Sequence, residues 1–165
     1  MAEETFTVPS AETEKNVTEI LNAEKSALVL IARAEQCSWK LKCKLEKKKY
    51  SSDAIQTVLD RLTELDLVND RRYAELWLKS RISKGVKGPL MLTQLLRAKG
   101  IIQETVAEAL TALLTPESEA ELLERCLTKY VPDARQDQKA AKRNFLKRQG
   151  FSAAAINRYF EEQEQ

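Results

Sequence analysis

The sequence predicts an all-α protein of tandem three-helix repeats, three units stacked into an elongated, curved body. Two features of the whole chain point there first. Four glycines and four prolines in 165 residues are few for a turn-rich sheet protein, and 43% hydrophobic with 32% charged residues is enough to bury a core and stay soluble. Apolar residues also recur at helical rather than alternating spacing: Ile55, Val58, Leu59, Leu62 and Leu65 in one stretch, Tyr73, Leu76 and Trp77 (with Ser80) in the next. The third feature is an internal repeat. Leu96-Arg97-Ala98-Lys99-Gly100-Ile101 aligns with Leu146-Lys147-Arg148-Gln149-Gly150-Phe151 at an offset of 50, which brings Val106 onto Ile156 and Leu110 onto Phe160. Upstream, the same offset pairs Tyr73, Leu76, Trp77 and Ser80 with Leu123, Cys126, Leu127 and Tyr130. Backwards by 51, Leu96 meets Leu45, Ile101 meets Tyr50, Val106 meets Ile55 and Leu110 meets Leu59, and the first helix of that copy needs an offset of 46. A period that carries both apolar positions and stop signals marks a repeat array. A unit of this size has little core of its own, so neighbours should share apolar faces.

Residues 1–25 are acidic and polar, with Pro9 and Ser10 near the start, and read as a disordered N-terminal arm holding at most a short helix at Val17–Leu21. Repeat one spans 26–68. Its first helix runs from Ser26 to about Gln36, Ser38 is the expected N-cap of its second with Leu41 and Leu45 inward, and Ser51 caps its third. Repeat two spans 69–115. Asp70 is a good N-cap; Gly85, Gly88 and Pro89 break the first helix, and Pro89 suits the first turn of the second. Gly100 fits the left-handed residue just past a helix end, and a third helix begins near Gln103. Repeat three spans 116–165. Pro116 opens a helix with glutamates at its start, and the polar connector Pro132–Asp137 leads to a basic second helix.

The net charge is only +2, but its distribution is uneven. The second helix of repeat one carries Lys40, Lys42, Lys44, Lys47, Lys48 and Lys49 against Glu46. That of repeat three carries Lys139, Lys142, Arg143, Lys147 and Arg148. Repeat two spreads Arg71, Arg72, Lys79, Arg81, Lys84, Lys87, Arg97 and Lys99 over two helices and the loop between them. Such faces are either solvated surface or anion-facing surface. The residues favoured as partner or DNA contacts are Arg72, Arg81, Lys84 and Lys87, with Lys40, Lys44, Lys47, Lys48, Lys142, Arg143, Lys147 and Arg148 beside them.

Several function classes fall away. The chain has no histidine, which removes the commonest general base and metal ligand, and Cys37, Cys43 and Cys126 lack a CxxC spacing. No catalytic, cofactor-binding or metal site is expected. Gly85-Val86-Lys87-Gly88 is too short for a phosphate-binding loop and does not follow a strand; it is a helix connector, or else a basic loop whose amides and lysines approach an anionic partner. Tyr73 and Trp77 are expected in the core. No membrane span or signal peptide is expected, and a reducing cytoplasm suits the cysteines.

Asn69-Asp70-Arg71-Arg72-Tyr73-Ala74, Arg81, Lys84-Gly85-Val86-Lys87-Gly88-Pro89, Leu95-Leu96 and Lys99-Gly100-Ile101 together resemble the central signature of the RecX regulatory proteins. Leu146–Phe151 resembles that family's third-repeat turn, and Arg33 with Ser38–Leu45 its first. The resemblance covers roughly residues 26–160. It implies a bacterial cytoplasmic protein, with no enzymatic activity, that binds the RecA recombinase filament, in its helical groove, and negatively regulates strand exchange and coprotease activity in DNA repair, homologous recombination and the SOS response. It also implies non-specific binding to single- or double-stranded DNA, by a monomer. Lys49 stands where the family usually has glycine, and the acidic arm matches nothing in it. Two rival readings stay open: a sequence-independent DNA-binding repeat protein that needs no recombinase, and a helical scaffold for another protein.

Overall fold

In the computed structural model of the chain, residues 11–85, 87–131 and 138–163 are described. They form nine helices and, among the described residues, no strand: α1 (Ala11–Arg33), α2 (Ser38–Lys47), α3 (Ser52–Glu64), α4 (Asp70–Lys84), α5 (Pro89–Arg97), α6 (Gln103–Leu113), α7 (Pro116–Leu127), α8 (Gln138–Gln149) and α9 (Ala153–Glu162). The all-α class read from the sequence is the one observed. The chain divides into two compact units, Met1–Asn69 and Asp70–Gln165. Within each three-helix set the first helix packs on the third: α1 on α3, α4 on α6 and α7 on α9.

The second helix of every set ends the same way. Leu45, Leu96 and Leu146 are all fully buried. Each offers its carbonyl to the amide five residues on: Tyr50 at 3.4 Å, Ile101 at 3.2 Å and Phe151 at 3.2 Å. Inside these turns the amides of Lys49, Gly100 and Gly150 donate to Glu46, Arg97 and Lys147 at 2.8, 2.9 and 3.0 Å. This is the left-handed Schellman stop, and it requires a positive φ at the residue before the apolar one. That φ is 78° at Gly100, 89° at Gly150 and 65° at Lys49. Lys49 thus adopts the conformation of the glycines it replaces, at a cost of roughly 1–2 kcal/mol for an L-residue. Hydroxyl caps then start the next helix twice: Ser51 accepts from the Ala54 amide at 3.3 Å and Ser152 from Ala155 at 3.1 Å.

The first unit has one core: Ala23, Ala27, Leu41, Leu45, Ile55, Val58, Leu59, Leu62 and Val68, with Ile20, Leu30, Ile31 and Tyr50 against it. This core corrects the N-terminal boundary. Residues 11–25, expected to be a disordered arm, are the first part of the 23-residue α1. Ile20 and Ala23 anchor them, and two of their acids have partners. Glu19 accepts from the Ser51 amide (2.7 Å) and hydroxyl (3.0 Å), and Glu24 pairs with Arg61 at 3.1 Å. Tertiary burial overrides a polar local composition here. Residues 1–10 and the connector Pro132–Asp137 lie outside the described residues.

The second unit holds α4–α9. Its C-terminal cluster, Leu122, Leu123, Cys126, Leu146, Phe151 and Ile156, also takes in Ile82 of α4 and Leu114. The two helical sets of this unit are further stitched by main chain. The Gly88 amide donates to the Gln149 carbonyl at 2.8 Å and the Leu90 amide to the Gly150 carbonyl at 2.9 Å. Two expected faces shift. On α4 the buried residues are Tyr73, Ala74 and Leu78, whereas Leu76 is 50% exposed and Ser80 is exposed. Leu65, expected to continue the inward stripe of α3, caps that helix outside it and is exposed, because Asp66 at φ 53° turns the chain away.

Candidate functional site

Of the cations singled out in the sequence, the structure brings three together. Arg81 and Lys84 sit on the last turn of α4, Lys87 in the loop that follows, and Trp77 one turn back. With Leu95 of α5 and Lys99 from its C-terminal turn they line a hollow of about 330 Å³. The Arg81 guanidinium lies over the Trp77 ring, 5.1 Å from its centroid, a cation–π arrangement. Trp77 is half-buried and forms a wall of this hollow rather than the core position expected for it. Four cations line the hollow, and no carboxylate is among its described lining residues. A field of one sign in a concave site attracts and concentrates anions.

The third helical set shapes this hollow. Lys87 is half-buried and donates from Nζ to Gln149 Oε1 at 3.1 Å, and the Lys129 ammonium donates to the Lys84 carbonyl. The glycines of the loop serve the same contact. A Cβ on Gly88 would lie 2.6 Å from the carbonyl carbon of Gly150, and one on Gly85, whose φ is +60°, would lie 3.0 Å from Cβ of Arg125. Both glycines are buried. Close backbone packing within the chain demands a glycine at position 88, while at position 85 the positive φ and the nearby Arg125 side chain do so.

The remaining sequence candidates are dispersed. Arg72 is half-buried on α4 and does not line the hollow. In the first unit Lys40 and Lys44 are half-buried on α2, with Lys44 donating to Gln36 Oε1 at 3.0 Å; Lys47 and Lys48 are exposed. Lys48 joins Lys25 and Arg33, two cations that were not among the candidates, around an open hollow between α1 and α2 of about 360 Å³. In the third helical set Arg143 turns inward, donating to Asn157 and lying 4.8 Å from the centroid of the Phe160 ring; Lys142 is half-buried. Lys147 and Arg148 reach outward and line a hollow of about 510 Å³ with Tyr130, Ala141 and Asn144. Sequence reasoning also missed that Trp77 and Lys99 line one hollow. The signal was present in the spacing of Trp77 and Arg81, four residues apart on one helix, but Lys99 arrives only by tertiary packing. Among the described residues no group of histidine, cysteine or carboxylate side chains is placed to hold a metal ion.

This surface sits on a segment that a family model matches. The model of the RecX second three-helix domain matches residues 69–110, and that of the RecX first three-helix domain matches residues 23–62. The regulatory protein RecX of Syntrophotalea carbinolica is 30% identical over 148 residues, covering 86% of this chain and 96% of the relative. The chain belongs to the RecX family. The RecX of Mannheimia succiniciproducens is 34% identical over 68% of the chain and 74% of its own length. Other RecX proteins are longer; the chain spans 49% of one from Lactococcus lactis, at 30% identity. The crystal structure of RecX from Lactobacillus salivarius matches the fold with a TM-score of 0.79 at 24% identity, over 90% of this chain and 98% of that one. Its RecX relatives are named regulatory proteins, and a regulatory role follows from that membership. The hollow at Trp77 lies wholly within the second three-helix domain of the family. Among the described residues no helix is long and apolar enough to cross a membrane.

Proposed function

We propose that this RecX-family chain binds the RecA recombinase filament and holds down its strand-exchange and coprotease activities. The observation that carries the reading is the cation-lined hollow of Trp77, Arg81, Lys84, Lys87 and Lys99 in the second three-helix domain. A filament is a polyanionic assembly with a regular groove. A chain of three-helix modules, taken here as 26–68, 69–115 and 116–165, can touch it at several points. Linked weak contacts then add through effective concentration. Regulation by binding requires preference for one filament state over another; equal affinity shifts nothing. The chain acts as a cytoplasmic monomer, without a cofactor, through contacts rather than catalysis. Arg81, Lys84 and Lys99 are the contacts weighted most heavily. Lys48 with Lys25 and Arg33, and Lys147 with Arg148, supply secondary ones.

The test compares binding to RecA filaments on single-stranded DNA with binding to the same naked DNA at matched salt, and follows filament-dependent coprotease cleavage in parallel. Tighter binding to the filament with loss of cleavage is expected. Equal affinity for both, with cleavage untouched, would leave a sequence-independent DNA-binding protein that needs no recombinase.

A further inference from the structure

The hollow at Trp77 has more chemistry than a general positive surface needs. A phosphate-tracking face requires only exposed cations, yet here the Arg81 guanidinium lies over the Trp77 ring, 5.1 Å from its centroid, and the two side chains line one wall. Leu95 adds an apolar contact, and Lys84, Lys87 and Lys99 complete the rim. The volume of about 330 Å³ is that of a small ligand, inside the usual range for such sites. We infer that this hollow takes one base–phosphate unit: the base against Trp77, Arg81 and Leu95, its phosphate on Lys84 and Lys99.

Every nucleobase has a π face, so an aromatic platform beside cations binds bases without reading sequence. A paired base keeps its faces inside the duplex stack and cannot use the platform. The site therefore separates single strands from duplex, which a purely electrostatic surface does not. An acidic peptide is the competing macromolecule for such a rim. It would be satisfied by the lysines alone and would leave the Trp77–Arg81 wall without a role. Lys87 is spoken for by Gln149 at 3.1 Å, which fixes its ammonium at the edge of the hollow rather than leaving it to wander. A second hollow, lined by Tyr130, Lys147 and Arg148 among others, lies in the third helical set.

The inference deepens the proposed filament-binding role, but its test needs no recombinase, so the two can fail separately. Trp39, on α2 and 46% exposed, is replaced in Trp39→Phe, which leaves Trp77 as the sole tryptophan. Its fluorescence is titrated with oligo(dT), an abasic oligonucleotide of the same length and charge, dTMP, duplex DNA and a poly-glutamate peptide. Quenching by oligo(dT) at about five- to tenfold or greater apparent affinity over the abasic strand is expected, given the usual worth of one stacked base. Quenching by dTMP at comparable affinity would support the same site with a free nucleotide as its source; no response to dTMP would assign the source to a strand. Trp77→Phe should keep the preference for oligo(dT) over the abasic strand, measured by anisotropy, and Trp77→Leu should lose it with the salt dependence unchanged. Equal binding of abasic and base-bearing strands, stronger quenching by duplex or by poly-glutamate than by oligo(dT), or no quenching at all would each overturn the inference, even if filament binding stood.

Discussion

Gly88 and Gly150 meet backbone to backbone: a Cβ on Gly88 would sit 2.6 Å from the carbonyl carbon of Gly150, and a Cβ on Gly150 would sit 2.5 Å from Cβ of Met91. The loop after α4 and the turn after α8 are thereby held at a separation that no side chain permits, closed by the Gly88–Gln149 and Leu90–Gly150 hydrogen bonds. Lys87, next to Gly88, donates to the Gln149 side chain at the same contact, at 3.1 Å.

Gly88→Ala should therefore act on two levels. Forcing a methyl group into that contact costs on the order of 1–3 kcal/mol, as overpacking does. Chemical denaturation should show the loss. Because Lys87 depends on the same contact, polyanion affinity should fall as well, by more than an Arg72→Ala change causes. A Gly88→Ala protein with unaltered stability would mean the two turns can separate freely.

Lys49 tests the left-handed turn. With φ at 65°, Lys49→Gly removes strain, while added freedom in the unfolded chain opposes it. The net expectation is a stabilisation between zero and about 1 kcal/mol. Gly100→Val, at φ 78°, should be clearly destabilising, since a β-branched residue tolerates that region least. Melting curves of the two variants moving in the same direction would contradict the account.

Removing residues 1–25 should unfold or severely weaken the first unit. The truncation takes Ile20 and Ala23 from the core and both Glu19 bonds from Ser51. Glu19→Ala alone should cost about 1 kcal/mol, the usual worth of such a contact to a helix start. A truncated chain that melts like the full one would restore the reading of this segment as a dispensable arm.

Charge reversals in the hollow should separate binding from stability unevenly. Arg81→Glu and Lys84→Glu change exposed residues, where charges contribute little to folding, so the melting temperature should barely move while filament binding falls. Lys87→Glu is different: its ammonium is half-buried on Gln149, so the reversal should lower stability too. Removing one cation from a phosphate should reduce the log–log salt slope by roughly 0.7–0.9. Unchanged filament binding by well-folded Arg81→Glu and Lys84→Glu proteins would move the interface to the Lys48 or Lys147–Arg148 surfaces.

The thiols should react in order of exposure. Cys43 is half-buried, whereas Cys37 and Cys126 are buried. Burial pushes the Cys126 thiol above its ordinary value, although Lys129 and Lys87 pull the other way, so its thiolate is scarce at neutral pH. Alkylation in native buffer should modify Cys43 first, with the other two following only in denaturant.

What the sequence determined by itself was whatever a few neighbouring residues decide. The stop after each second helix needs a leucine, a residue tolerant of positive φ four places on and an apolar residue after that. All of this lies within six consecutive positions, so Leu45–Tyr50, Leu96–Ile101 and Leu146–Phe151 were readable as repeats of one turn. The hydroxyl caps at Ser51 and Ser152 are equally local, and only the first of them was read as a cap. The central signature of the family was legible for the same reason. Tertiary structure alone decided where α1 begins, because polar residues 11–25 are held by Ile20, Ala23 and bonds to Ser51 that lie 32 residues along the chain. It decided which face of α4 is buried, since periodicity gives a stripe but the packing of α6 and the C-terminal cluster selects it. It also decided the purpose of Gly85 and Gly88. Their signal, read as either a connector or a loop open to a partner, is the same in a sequence whether the close neighbour is another molecule or a part of the chain far along it, Arg125 for Gly85 and Gly150 for Gly88. The hollow follows that decision: Lys87 meets Gln149 across 62 residues, and Trp77 and Lys99 share a wall only once α4 and α5 have packed.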